Sequence, residues 1–375
     1  MDEIRIKKER VKNFLREHGL KGVLLTRQSN FAWITGGGDN FVVMGSDLGV
    51  ASALITDKSS YIITSNIESA RIREEEIDLH ACCSLKKNAG RIFSFAIFPW
   101  QEEEKRIDLI KKICPLNKIA SDSPVSGTKP LGSDFAQLRY SLTPEEIDRY
   151  IRLGEECGKS TGKVCGSIKT GDSENEIAGR LSEDLLAKGI VPTVLLIAAD
   201  DRIRKYRHPI ATDKKVKKYV MVVLCGRKWG LIVSLTRLVH FGKVSAELYR
   251  KHDAVTKVDA CFITGTKPGT KVSEIFKCAL KTYKETGFAD EWKLHHQGGA
   301  TGYEGRDYKG TLSCREVVRE NQAFAWNPSI TGTKSEDTII AIPTKPKIIS
   351  VVPGWPMLSV ECCGEKINRP DILVK

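Results

Sequence analysis

No apolar run in these 375 residues approaches the ~18 that a membrane-crossing helix needs, so no such helix is expected. The eleven cysteines are an odd number and contain no Cys-x-x-Cys. Apart from the adjacent pairs Cys82-Cys83 and Cys362-Cys363 they are scattered, which argues against a disulfide framework or a zinc knuckle and for reduced thiols in a cytoplasmic protein. The opening residues, Met1 to Arg10, are charged and amphipathic, unlike a signal peptide. Internal repeats and low-complexity tracts are absent. So are helix-turn-helix, RNP and basic-zipper patterns, although the formal net charge is +12. The densest basic run lies between Arg202 and Lys218, and elsewhere Lys and Arg alternate with Asp and Glu. A solvated basic face, or a pocket that attracts an anionic substrate, fits this better than a nucleic-acid groove.

With 41% hydrophobic and 28% charged residues, the composition is that of a globular protein. The length calls for two domains, placed at 1–140 and 141–375. The first reads as α/β. It has a surface helix over 3–17, a strand at Gly22–Thr26 and a hairpin of Val50–Thr56 with Ser60–Thr64. Helices follow from Ile67 to Glu76 and from Glu102 to Cys114. Thr143-Pro144-Glu145-Glu146 then sets an N-cap, a first-turn proline and a capping-box glutamate in order, which starts a long helix. Ser173 caps a second one, over 174–188. Strands come next at 193–199, 219–225, 230–239, 323–326 and 338–342, with one helix at 272–286 among them, so the second domain reads as α+β.

The stretch Lys293 to Asp307 gathers the most chemistry. His295 and His296 run into Gly298, Gly299 and Gly302, read as a turn, with Tyr303, Glu304, Arg306 and Asp307 behind them. Histidine titrates near neutrality and glycine lets backbone approach a ligand, so the stretch reads as a floor for a small molecule. The plainer alternative is a structural turn with its polar groups in water.

From Thr143 onward the order of pieces resembles the pita-bread fold of the creatinase/prolidase/aminopeptidase P family. The marks are the Thr-Pro-Glu-Glu helix start, Leu235-Thr236-Arg237, the Gly-rich histidine stretch and Ser335-Glu336-Asp337-Thr338. The preceding region is similar to that family's smaller N-terminal α/β domain. The resemblance implies two divalent metals held by two Asp, one His and two Glu, and here the chain departs. Val223 and Leu224 stand at the first Asp, Ser234 at the second, and Gly298-Gly299-Ala300 where the ligand His belongs. Asn327 replaces the first Glu, and only Glu336 remains. Two dications need several anionic oxygens to offset dehydration and mutual repulsion, so no metal ligand set and no cofactor are expected.

What the resemblance leaves is acid/base hydrolysis or C–N bond chemistry on a small amino-acid-like, amide or guanidine substrate or short peptide. Creatinase is the family's example of hydrolysis without metal. His295 or His296 is then the proton carrier, and Glu336 orients water or a cationic nitrogen. Arg207 or Arg237 holds a carboxylate, while His208, Tyr303, Glu304, Arg306, Asp307 and Asn327 bind substrate. For Arg237 a structural ion pair is the competing reading. Two alternatives stay open: a non-catalytic peptide-binding module, as in the histone-chaperone domain of this fold, and an Xaa-Pro peptidase with a degenerate metal site. The family resemblance also implies a homodimer.

Overall fold

The computed structural model describes residues 3–78, 92–362 and 364–375. His80, the Cys82-Cys83 pair and Cys363 lie outside them. The chain divides into two compact units; one runs through Arg139 and takes in Thr143–Glu146 and Trp229–Leu231, and the other holds the rest. Among the described residues no helix is long and apolar enough to cross a membrane.

The first unit is built on a mixed six-stranded sheet. Its strands are β1 (Gly22–Arg27), β2 (Leu48–Thr56), β3 (Ser60–Ser65), β4 (Ser94–Phe98), β5 (Ile119–Ser121) and β6 (Lys129–Pro130), in the order β4-β3-β2-β1-β5-β6. The expected hairpin is present, with Ile55 opposite Ser60. Leu24, Leu54, Ile63, Phe98 and Ile119 of the strands pack with Ile110 and Cys114 from the end of the helix Glu104–Ile113. The helix Glu3–Glu17 buries Ile4, Val11, Phe14 and Leu15, as its spacing predicts, and also Lys7. That ammonium lies 2.7 Å from Glu146 and donates to the Trp33 carbonyl at 2.7 Å, so a buried cation is matched on each side. The expected helix over 67–76 is corrected. Only Ser69–Arg71 is α-helical, and the turns widen to a π-helix over Ile72–Asp78.

Both capping signals act as read. The backbone N–H of Thr143 donates to Glu146 at 2.7 Å, and that of Glu146 to the Thr143 hydroxyl at 3.3 Å, opening the helix Pro144–Ser167. Ser173 and Glu176 make the same reciprocal box at the head of Glu174–Leu186. The strands β7 (Val191–Ala199), β8 (Tyr219–Lys228), β9 (Leu231–His240) and β19 (Leu373–Val374) form one sheet in the order β19-β9-β8-β7. A second sheet orders as β11-β10-β12-β15-β16, from β10 (Gly298–Thr301), β11 (Tyr308–Lys309), β12 (Ala323–Trp326), β15 (Asp337–Ile340) and β16 (Lys347–Ile348). Two short ribbons pair β13 (Ser329–Ile330) with β14 (Thr333–Lys334) and β17 (Met357–Cys362) with β18 (Glu365–Pro370).

The 20-residue helix Ala246–Gly265 falls in a stretch for which the sequence reading named no element. From Ala254 to Thr264 only Lys257 escapes burial, so no polar face breaks the run into a helical period. It packs with the helix Val272–Glu285 and with Phe324, Trp326 and Ile339 into the main core.

Candidate functional site

Glu336 sits at the entry of β15 with 2% of its surface exposed. The Thr236 hydroxyl and the Lys334 ammonium each reach its Oε2 at 2.7 Å, and the Arg306 guanidinium comes within 3.6 Å of Oε1. Burial by itself would raise this carboxyl's pKa. Lys334 and Arg306 outweigh that and hold it below the ordinary glutamate value. The chain thus answers its one inherited anion with two cations of its own.

Around it, the other inherited ligand positions carry no charge. Val223 and Leu224 are buried in β8. Ser234 faces Cys225, oxygen to sulfur at 3.2 Å, and its backbone exchanges hydrogen bonds with the Thr338 hydroxyl. Asn327 is 4% exposed, and its Oδ1 has no hydrogen-bond partner among the described residues. Two dications have no set of anionic oxygens here, and Lys334 and Arg306 add repulsion. The residues present do not fit the metal pair that the family implies.

The glycine stretch is not the turn or ligand floor that its composition predicts. Gly298 and Gly299 belong to β10 with φ of +95° and +154°, and a Cβ on either would fall 2.2 Å from the Ala325 carbonyl oxygen or 2.1 Å from that of Tyr308. Neighbouring strands fill the space that a ligand would need. These glycines serve sheet packing.

The histidines do come together, from two separate segments. His295 Nε2 lies 3.2 Å from His208 Nε2, His295 stacks on His296 with ring centroids 4.4 Å apart, and His208 is 5.9 Å from His296. Two braces hold the segments. Arg207, next to His208, pairs with Glu291 at 2.9 Å, and Glu291 starts the short 3-10 turn that delivers His295. Gln297 donates to the His295 carbonyl at 2.6 Å and accepts from the Tyr283 hydroxyl at 2.8 Å. His295 is 9% exposed and its Nδ1 has no partner among the described residues. The backbone N–H of Gly298 donates to His296 Nδ1 at 3.3 Å.

Burial first, then Lys334 and the other two rings, bring His295 down to about 2. Burial, Arg306 and Lys334 bring His296 to about 4. His208 is held below its ordinary value by partial desolvation and by Lys334. His295 or His296 was expected to carry the proton; the lowered values favour the neutral, proton-accepting form of both rings. A useful proton carrier titrates near the working pH.

The arginines expected to hold a substrate carboxylate are spent on the protein. Arg237 is 2% exposed; it pairs with Asp337 at 2.9 Å and donates to the carbonyls of Thr236 and Ser350. The same Asp337 meets Arg369 at 2.7 Å, and Arg369 meets Asp259 at 2.6 Å, a buried chain of charges. Arg207 is committed to Glu291 and the Thr331 hydroxyl. Arg306 is nearer to what was expected: it is half-buried, although its guanidinium faces Glu336 and donates to the Gly305 carbonyl. Tyr303 is buried, Glu304 and Asp307 half-buried. Thr301 donates its hydroxyl to the Glu304 carbonyl, and the Asp307 N–H bonds the Ala300 carbonyl. Lys334 is the residue that sequence reasoning missed. Its signal was available, since a residue two before Glu336 in extended chain shares its face.

A small α/β unit followed by an α+β unit with this degenerate ligand set defines a hydrolase-like, two-domain protein of the pita-bread class. The chain belongs to the metallopeptidase family M24, whose model matches residues 149–348, and the creatinase/prolidase N-terminal domain matches residues 7–133. It is a divergent member that lacks most of the metal ligands. It is 23% identical over 350 residues to the uncharacterized peptidase YqhT of Bacillus subtilis, covering 89% of this chain and 95% of that one. The fold is shared with a solved Xaa-Pro dipeptidase from Bacillus anthracis (TM-score 0.74, 17% identity, 99% of this chain and 100% of that one). It is shared too with the N-terminal domain of the FACT complex subunit SPT16 from chickpea (TM-score 0.69, 12% identity, 94% and 98%).

Proposed function

We propose that the second unit binds a short peptide or small amide and hydrolyses it without the carboxylate-held metal pair of the family. The observation that carries this is the closure of Glu336 by Lys334, Arg306 and Thr236. Family membership and the Xaa-Pro dipeptidase among the structural relatives support a peptide or amide substrate. Arg306, whose side chain keeps 17% exposure beside Glu336, is the cation that receives the substrate's carboxylate. The working form in this reading is a cytoplasmic homodimer. The test is turnover of Xaa-Pro dipeptides and simple amides by full-length protein. We expect cleavage that added manganese does not raise and that is lost in Arg306→Ala. Cleavage that requires two manganese ions per chain overturns the reading.

A second reading, a peptide-binding module without turnover, is favoured by one feature: Glu336, the one carboxylate left at the inherited ligand positions, is closed by Lys334, Arg306 and Thr236. The likeness to the SPT16 domain is in keeping with it. Saturable peptide binding with no product, under conditions that support the dipeptidase relatives, selects this reading over hydrolysis.

A further inference from the structure

We propose that His208, His295 and His296 form a binding site for one borderline divalent cation of the zinc type, separate from the family's metal pair. None of the three occupies any of the five inherited ligand positions. Among the described residues they are a group of potential ligands that converge: one nitrogen from each, all within 4.8 Å of one another. Nitrogens bound at ~2.0–2.1 Å to the same tetrahedral ion lie about 3.3–3.4 Å apart. The Nε2 atoms of His208 and His295 already stand at 3.2 Å. Small ring rotations bring in His296.

The donor set chooses the ion. Three imidazoles with no thiolate and no carboxylate suit zinc, cobalt, nickel or copper, whereas magnesium and calcium require oxygen. Three protein ligands leave a fourth position open. The supports are those of a built site. The Arg207–Glu291 pair ties the His208 segment to the turn ahead of His295, and the Tyr283–Gln297–His295 chain fixes the backbone between His295 and Gly298. Lys334, Lys309, Arg207 and Arg306 act on these rings as positive charges, with Glu336 opposing them. They reduce the affinity for a dication and make an anion the preferred fourth ligand.

The inference does not depend on hydrolysis, because the ion is held whether the cleft cleaves or only binds. Untagged full-length protein, stripped with chelator, is titrated with cobalt(II) and followed by its visible absorption, then back-titrated with zinc. One cobalt per chain is expected, with the intense d–d bands of a tetrahedral or five-coordinate ion, no sulfur charge-transfer band, and displacement by zinc. Losing a supporting residue around a metal costs ~10–100-fold in affinity, so losing a ligand in His208→Ala should cost more than about 100-fold. His208 is exposed, so that variant keeps its fold; His296→Ala repeats the test from the second segment. His240→Ala, remote in sequence and bonded to the Gly242 carbonyl, should bind as the parent does. No cobalt bands, two ions per chain, or unchanged affinity in His208→Ala overturns the proposal. A chain that takes one ion yet cleaves nothing keeps this inference and sinks the hydrolase reading. Cleavage without ion binding does the reverse.

Discussion

Lys334 and Glu336 are each nearly sealed from solvent and only two residues apart, so neither charge has water to fall back on. Lys334→Met should cost about 3 kcal/mol of unfolding free energy at neutral pH, the lower end for stranding a buried charge, because Arg306 still faces the carboxylate. Adding Glu336→Gln should restore most of the loss. Chemical denaturation of the two variants and the double mutant measures this. The same carboxyl gives a pH signature. Its pKa in the folded chain is below the ordinary value of about 4.3, so the unfolded chain binds the proton first. Its stabilisation is therefore complete above that ordinary value and disappears as pH falls through the lower, folded one. Denaturation midpoints followed downward from neutrality should fall less steeply in Glu336→Gln; a parallel acid limb would show that the carboxyl is not held low.

The two capping boxes were legible because all their atoms lie within four residues. Ser173→Ala should cost about 1 kcal/mol, with Glu176 left in place as an internal control, read from the same denaturation experiment. The helix Ala246–Gly265 was illegible because burial on nearly every side over Ala254–Thr264 erases the alternation that sequence reasoning relies on. The glycines of β10 were visible but misjudged. Composition could not say whether the space over Gly298 and Gly299 held a ligand or another strand, and it holds the backbones of β11 and β12. Gly299→Ala must displace a carbonyl oxygen at 2.1 Å, and we expect it to accumulate as insoluble protein, whereas Gly305→Ala, with open space around it, should remain soluble. Of the site itself, the lost ligands could be read position by position against the family pattern. Which arginines were already paired could not, because Asp337 and Ser350 reach Arg237 across about a hundred residues or more of chain.

Across the whole chain the family likeness covers residues 7–133 and 149–348, while only Glu336 stands at the inherited acidic ligand positions. On the metal-free reading proposed above, the fold has outlasted its metals. Its stability should accordingly be indifferent to manganese. Thermal melts with chelator and with excess manganese are expected to coincide, and an upward shift with manganese would mean that the native state still binds it. Light scattering on purified protein checks the proposed homodimer, with a mass twice that of the chain as the expected value.

The Lys334–Glu336–Arg306 cluster also bears on ancestry. An aspartate restored at Ser234 alone would meet two resident cations and recruit no manganese. Removing Lys334 first would strand Glu336 in the interior. On the proposed metal-free reading, each single step back toward a metallopeptidase is therefore worse than standing still, and such a departure would work as a one-way ratchet. Reactivation by engineering would need the lysine and the missing carboxylates exchanged together.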